Sequence, residues 1–189
     1  MNDSALIIRR SFFPRDLCDE LIAFAEHRGF GEAPINVPGG PQRVEEIRNN
    51  RRVIVDDEHW AAELSEQLFG VLPTVGDWRY SGVNERFRFY RYEPGEYFRW
   101  HSDGSFVRSE TERSFWTLMV YLNDGFEGGQ TRFEGSGDDI CVTPERGMLC
   151  MFRHELIHQG DVVRSGKKYV LRTDAMFRRA PELLAVAES

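Results

Sequence analysis

The chain is nearly without lysine. Of its 24 basic residues only two, the adjacent Lys167 and Lys168, are lysines, and the rest are arginines. Cysteine is also scarce. Cys18, Cys141 and Cys150 are odd in number and lack CxxC spacing, which excludes a disulfide framework and a zinc knuckle and leads us to expect a reducing, cytoplasmic setting. No apolar run approaches the roughly 18 residues that a membrane-spanning helix needs, so no membrane partner is expected. Positive charge is in deficit, with 24 Lys+Arg against 31 Asp+Glu and a net charge of −7, which argues against nucleic acid as a partner. The opening Met1-Asn2-Asp3-Ser4 has neither the basic start nor the apolar stretch of a signal peptide. Internal repeats and low-complexity stretches are missing too.

What remains is an ordinary globular composition: 189 residues, 41% hydrophobic and 29% charged, read as one domain over 1–189. Ala5 to Arg10 reads as a strand. Arg15 to Arg28 reads as an amphipathic helix with Leu17, Leu21, Ile22, Phe24 and Ala25 on one side and Gly29 as its stop. Residues 33–42, with three prolines and two glycines, read as a loop. Arg51 to Val55 follows as a strand and Glu58 to Phe69 as a second helix. From about residue 80 the texture turns to short β-rich runs: 83–92, 97–101, 115–122, 130–133, 140–143, 148–153 and 168–177. This order predicts a β-sandwich or barrel with helices buttressing one face.

Alternation assigns faces. In 84–92 one parity carries Arg86, Arg88, Tyr90 and Tyr92 and the other Phe87 and Phe89. In 168–177 one parity carries Lys168, Arg172 and Asp174 and the other Tyr169, Leu171 and Phe177. Period two therefore predicts an apolar face packed on the helices and a polar-aromatic face that either lines a cavity or is simply solvated.

Two metal motifs compete. His101-Ser102-Asp103 places an i, i+2 pair on one side of a strand, and with His158 it makes two histidines and a carboxylate, a set that occupies one face of an octahedral Fe(II) and leaves three positions open. His154-Glu155-Leu156-Ile157-His158 satisfies H-E-x-x-H, the zinc-peptidase signature, whose chemistry needs both histidines on one helix. The strand-like run before His154 and Gly160 just after His158 leave little room for that helix. Lys168, ten positions beyond His158 at a strand start, suits the distal carboxylate of a dicarboxylate, with Tyr92 and Tyr121 as hydroxyl donors.

Several segments, in this order, carry a family resemblance: 91–103 (Arg-Tyr-Glu-Pro-Gly-Glu-Tyr-Phe-Arg-Trp-His-Ser-Asp), 113–124, Phe126-Glu-Gly-Gly-Gln-Thr-Arg-Phe133, 142–147, and His158 followed by Lys168-Tyr-Val-Leu-Arg172. The sequence resembles the Fe(II)/2-oxoglutarate-dependent dioxygenases, in particular the prolyl 4-hydroxylase-type catalytic domain, over residues 80–178, with 1–79 as a strand and helix buttress. The resemblance implies a mainly β fold, the double-stranded β-helix or cupin-like jelly roll. It implies Fe(II) on His101, Asp103 and His158, and 2-oxoglutarate anchored by Lys168. Tyr92, Tyr121, Met119 and Thr131 would surround the co-substrate, with Arg172 as a second polar group near the iron. O2 would be the second co-substrate and ascorbate an accessory reductant. The expected activity is hydroxylation of an unactivated C–H bond, with succinate and CO2 released, in a prolyl or other residue of a protein or peptide. A free amino acid or small metabolite is the alternative substrate, and a non-catalytic iron- or dicarboxylate-binding jelly roll the alternative function. For substrate contact the sequence offers Arg51, Arg52, Tyr90 and Arg88, near an Arg-rich stretch (Arg43, Arg48, Arg51, Arg52) that could clamp a carboxylate or form a solvated salt-bridged loop. The 104–113 loop is a candidate lid.

Overall fold

A computed structural model describes residues 5–37 and 40–179. In chain order the elements are β1 (Leu6–Arg9), α1 (Arg15–Arg28), β2 (Gly31–Glu32), β3 (Ile35–Val37), β4 (Gly40–Gln42), β5 (Arg51–Asp56), α2 (Glu58–Gln67), β6 (Trp78–Val83), β7 (Arg86–Tyr92) and β8 (Phe98–His101). They continue with β9 (Val107–Ser109), β10 (Glu112–Tyr121), β11 (Glu127–Gly128), β12 (Thr131–Phe133), β13 (Ile140–Val142), β14 (Leu149–Arg153), β15 (His158–Gly160), β16 (Val163–Ser165) and β17 (Lys168–Arg179).

A large antiparallel sheet runs β1-β14-β10-β17-β7-β5-β2, with β6 added beside β17 and β9 beside β10. A smaller sheet, β13-β12-β15-β8, faces it. This is the mainly β jelly roll expected. α1 ends where Gly29 adopts φ +81°, a left-handed conformation, with its N–H donating to the Ala25 and Glu26 carbonyls. α2 starts at Asp57, whose carboxylate accepts from the Trp60 N–H at 2.9 Å. It closes at Gln67 rather than Phe69, because Leu68 and Phe69 turn their N–H groups to the carbonyls three residues back, a tightening that ends the helix.

The alternation sorts two cores. Phe87, Phe89, Trp116, Leu118, Val120, Leu149, Met151, Leu171, Ala175 and Phe177 leave the large sheet on one side and pack with Cys18 and Ala25 of α1 and Ala61 and Leu64 of α2. Tyr90, Tyr92, Tyr121, Cys150, Phe152 and Val170 leave it on the other and meet Phe133 and Val142 of the small sheet. The second layer is the more aromatic and hydroxylated, and it holds the site.

Two further stretches differ from the sequence expectation. The strand expected over 83–92 begins only at Arg86, as β7, and Val83 instead ends β6, a separate strand that also pairs with the long β17. The chain turns between them because the Asn84 side-chain oxygen accepts from the Arg86 N–H at 2.9 Å. Within the expected 33–42 loop, β3 and β4 pair as a short hairpin, and residues 38 and 39 between them lie outside the described residues. The candidate lid carries β9, tied to the edge of β10.

Candidate metal and co-substrate site

Strand register brings the two histidines together. β15 lies beside β8 so that His158 is directly opposite His101, on one face of an antiparallel pair, with ring centroids 4.2 Å apart. Asp103, just past the end of β8, is held by its own N–H donating to the His154 carbonyl at 2.9 Å. Ligand atoms of His101, Asp103 and His158 all lie within 4.8 Å of one another, and both Nε2 atoms are 3.8 Å from the Asp103 carboxylate.

The backbone fixes both ring tautomers. His101 Nδ1 is 2.7 Å from the Arg99 carbonyl oxygen and His158 Nδ1 is 2.9 Å from that of Leu156. A carbonyl only accepts, so each Nδ1 carries the proton and each Nε2 turns a free lone pair to the site. Burial, the nearby His158 ring and Arg172 press the His101 pKa down to about 3, against the pull of Asp103, and burial lowers that of His158. Both rings are neutral at physiological pH, as metal ligands must be. For Asp103 the balance runs the other way. Burial opposes ionisation, but Arg172 at 3.0 Å, the histidines and the Thr117 hydroxyl at 2.6 Å hold it ionised far below the usual carboxylate range.

A hydrogen-bond chain stands behind the carboxylate. Thr117 must donate to Asp103, so its oxygen accepts from His154 Nδ1 at 3.0 Å. His154 Nε2 accepts from Ser114 Oγ at 2.8 Å, and that oxygen accepts from the Phe106 N–H at 2.8 Å. His154 is therefore a strand-end residue fastened beside the site. The segment 154–158 is a turn between β14 and β15, and Glu155 is exposed and paired to Arg153 at 2.8 Å. The peptidase reading of H-E-x-x-H is overturned, because no helix places His154 and His158 on one face.

One pocket runs from this triad to Lys168, lined by Tyr90, Tyr92, Met119, Thr131, Val170 and Arg172 among others. Lys168 is 3% exposed, and among the described residues its Nζ has a single acceptor, the Gly129 carbonyl at 2.6 Å, with the rings of Tyr92 and Tyr121 at 5.2 and 5.4 Å. Burial pulls its pKa down to about 7. In its charged form this buried amine has two donors without an acceptor among the described residues, which calls for an anion. Tyr121 does not itself line the pocket. Fully buried, it donates to Thr131 Oγ1 at 2.7 Å, which leaves the Thr131 proton free to point toward an anion at Lys168. The two glycines of Phe126-Glu-Gly-Gly serve this corner. Gly128 sits at φ +77°, where a Cβ would fall 2.2 Å from the Val162 carbonyl oxygen, and Gly129 supplies the carbonyl that Lys168 grips. Lys167 points away, half-exposed, to Glu93 at 3.3 Å.

On the far side of the triad an open cleft of about 620 Å³ is lined by Arg48, Arg52, Arg88, Tyr90, Phe98, Trp100, Phe106, Arg172 and Asp174 among others. Of the expected substrate residues, Arg52, Tyr90 and Arg88 are here. Arg51 is not in its lining. Arg52 sits opposite Tyr90, whereas Arg51 sits opposite Arg91, on the face where Arg91 pairs with Glu26 of α1. Arg172 bridges Asp103 and Asp174, at 3.0 and 3.4 Å, and Arg88 reaches Asp174 at 3.2 Å. Burial would raise the Tyr90 pKa, but Arg48, Arg172 and Arg88 outweigh it and bring the phenol down to about 7. Sequence reasoning did not single out Thr117, Ser114 or Arg48 individually. Extending the Met119–Tyr121 parity back by two would have found Thr117.

The jelly roll thus carries, at one end of a pocket, two imidazoles and a carboxylate close enough together to hold a metal ion, and at the other a buried lysine. The model for the 2OG-Fe(II) oxygenase superfamily matches residues 87–173, which contain the triad and the lysine. Prolyl 4-hydroxylase 1 of Arabidopsis thaliana is 24% identical over 190 residues, an overlap of 87% of this chain and 66% of that protein, so the chain spans just under two thirds of its relative's length. The crystal structure of a Pseudomonas putida prolyl-4-hydroxylase superposes with a TM-score of 0.67 at 22% identity, covering 93% of each chain. A Trichoplax adhaerens prolyl hydroxylase in complex with a hypoxia inducible factor oxygen degradation domain peptide fragment superposes with a TM-score of 0.71 at 16% identity, covering 92% of this chain and 84% of that one. Residues 87–173 thus match the 2OG-Fe(II) oxygenase superfamily, and the chain has the fold of the prolyl hydroxylases it superposes on.

Proposed function

We propose that the chain is an Fe(II)- and 2-oxoglutarate-dependent hydroxylase. The observation that carries this is the pairing, in one pocket, of a preset three-ligand metal site with a buried, under-partnered lysine. His101, Asp103 and His158 would hold the iron. Their donor set fits Fe(II), since two neutral imidazoles and one carboxylate bind on one side only and leave the other side open. Lys168, with Thr131 beside it and Tyr92 over it, would take the distal carboxylate of 2-oxoglutarate, and Met119 and Val170 would wall its methylene groups.

Bound iron and 2-oxoglutarate supply the oxidising chemistry, in which R–H, O2 and 2-oxoglutarate give R–OH, succinate and CO2. The protein's own residues do the rest. The backbone carbonyls of Arg99 and Leu156 keep the imidazole lone pairs aimed. Thr117 and Arg172 hold the Asp103 carboxylate in one rotamer and ionised. Phe98, Phe152 and Val170 keep water from the inner pocket. The relatives' names support a prolyl or other residue of a peptide as substrate. The guanidinium-lined cleft favours a second reading, a free amino acid or other small acid. Ascorbate as accessory reductant and a cytoplasmic location complete the proposal. The free thiols of Cys18, Cys141 and Cys150 suit a reducing compartment.

The test is to supply Fe(II), 2-oxoglutarate and O2 with panels of prolyl peptides and free amino acids. Succinate and a +16 mass shift in one panel member are then scored. One-to-one succinate and product is the expected result. Absence of 2-oxoglutarate turnover in a protein that binds iron would contradict it.

A further inference from the structure

The outer cleft holds more guanidiniums than its carboxylates can pair. Its lining includes four guanidiniums, Arg48, Arg52, Arg88 and Arg172, against two carboxylates, Asp103 and Asp174. Asp174 is shared by Arg88 and Arg172, and Asp103 is the carboxylate of the metal triad. That leaves Arg48 and Arg52 without a carboxylate partner among the described residues; the acidic group that both face is the Tyr90 phenol.

Arg48 is held as if for a ligand. The residue is 5% exposed, its guanidinium lies 4.4 Å from the ring centroids of both Tyr90 and Phe98, and its Nε donates to Asn50 Oδ1 at 2.7 Å. Two rings and one hydrogen bond thus hold the group, while Nη2 is buried with no hydrogen-bond partner among the described residues. A desolvated charged donor without an acceptor is costly in a folded protein, and a planar fork with its rotamer fixed is the arrangement that takes a carboxylate with least ordering. A solvated salt-bridged loop would leave Arg48 at the surface beside an acid, and it is neither. Next to it the cleft offers apolar surface: Ile47, Trp100, 42% exposed, and Phe106.

We propose that the prime substrate is a small carboxylic acid with an aliphatic body, such as a free amino or imino acid, whose carboxylate sits on Arg48 and Arg52 and whose body lies against Trp100 and Phe106 in front of the triad. This rests on the hydroxylase reading above and names its substrate class. Carboxylate recognition could equally be met by an acidic side chain of a peptide, and the experiment separates the two sources.

Succinate formation with Fe(II) and 2-oxoglutarate is measured with L-proline, L-leucine and L-isoleucine, each as the acid and as the carboxamide. An end-blocked prolyl peptide is run with and without a flanking aspartate. The expected result is stimulation by at least one free acid, at least tenfold stronger in kcat/KM than by its amide. In Arg48→Gln or Arg52→Gln the KM for that acid should rise tenfold or more, with the visible Fe(II)–2-oxoglutarate band unchanged. The second variant, on a part-exposed residue, guards against a folding defect at buried Arg48. Arg48→Lys, which keeps the charge but not the planar fork, should recover only part of the loss. Equal stimulation by acids and amides, stimulation by the neutral blocked peptide alone, or no response to any free acid overturns the proposal. Stimulation only by the aspartate-bearing peptide overturns it in favour of an acidic peptide. Absence of the Fe(II)–2-oxoglutarate band in the unaltered protein would instead overturn the hydroxylase reading beneath it.

Discussion

The strongest pH dependence should appear in 2-oxoglutarate binding, through Lys168. Burial places this amine at about 7, well below the 10.5 of a free lysine. In the ligand-free protein it therefore loses its charge as the pH rises past neutrality, and only the charged form can pair with the distal carboxylate. If the bound amine stays protonated, the apparent Kd scales as one plus the ratio of neutral to charged amine. It is then flat below pH 6 and weakens about tenfold between pH 6 and 8. Binding near neutral pH should take up about half a proton. The sign for folding is separate. The unfolded chain holds this proton at up to about pH 10.4 while the folded one releases it near 7, so this group makes the free protein more stable as pH rises through that interval. Cys150 and Tyr92, both pushed up to about 12 by burial, stay protonated in the assay window, whereas Tyr90 at about 7 does not. Lys168→Arg separates the contributions, since an arginine keeps its charge throughout and removes the lysine's share of the slope. Anaerobic titration at pH 6, 7 and 8, with proton uptake from calorimetry in two buffers, measures both quantities. A Kd that does not change over that range, or an unchanged slope in Lys168→Arg, refutes the reasoning.

Further outcomes follow from the same geometry. Thr117→Val removes the hydroxyl that donates to Asp103 and accepts from His154, and should weaken Fe(II) binding by about 10- to 100-fold in a competition titration, with the fold intact by circular dichroism. Glu155→Gln should leave metal affinity unchanged, because Glu155 points to Arg153 and solvent; a loss would revive the peptidase reading. Phe87→Ala, at a fully buried position under Trp60, should cost about 3–5 kcal/mol by denaturant unfolding while leaving the pocket residues in place.

Much of this was legible before the structure, for reasons that lie in particular residues. Period two in β7 and β17 separated Phe87, Phe89 and Leu171 from Tyr90, Tyr92 and Lys168, and those two sets are the two cores. The i, i+2 spacing of His101 and Asp103 is local and readable, and so is the Gly29 stop. Less legible was whatever depends on contacts between distant segments. His158 reaches His101 only through the β15–β8 register, and β15 is three residues long, too short to carry a pattern. Arg48 was legible only as one of four arginines in a stretch that could clamp a carboxylate, since what sets it apart from the others is two rings contributed by β7 and β8. Arg51 and Arg52 looked equivalent in sequence, but a strand can turn only one of two neighbours to the cleft. The break at Asn84 hid inside a strand-like run because its cause, a side-chain bond to the Arg86 N–H, is not a matter of hydropathy.

The central claim is that His101, Asp103, His158 and Lys168 together bind Fe(II) and 2-oxoglutarate in one pocket. It is tested most directly by adding Fe(II) and then 2-oxoglutarate to the metal-free protein without oxygen and following the visible spectrum. A weak charge-transfer band that needs both additions, is lost in Asp103→Ala and is weakened at least about thirtyfold in 2-oxoglutarate affinity by Lys168→Ala is the predicted result. A folded protein that binds 2-oxoglutarate equally well with and without Lys168, or that shows no band with both present, would contradict it.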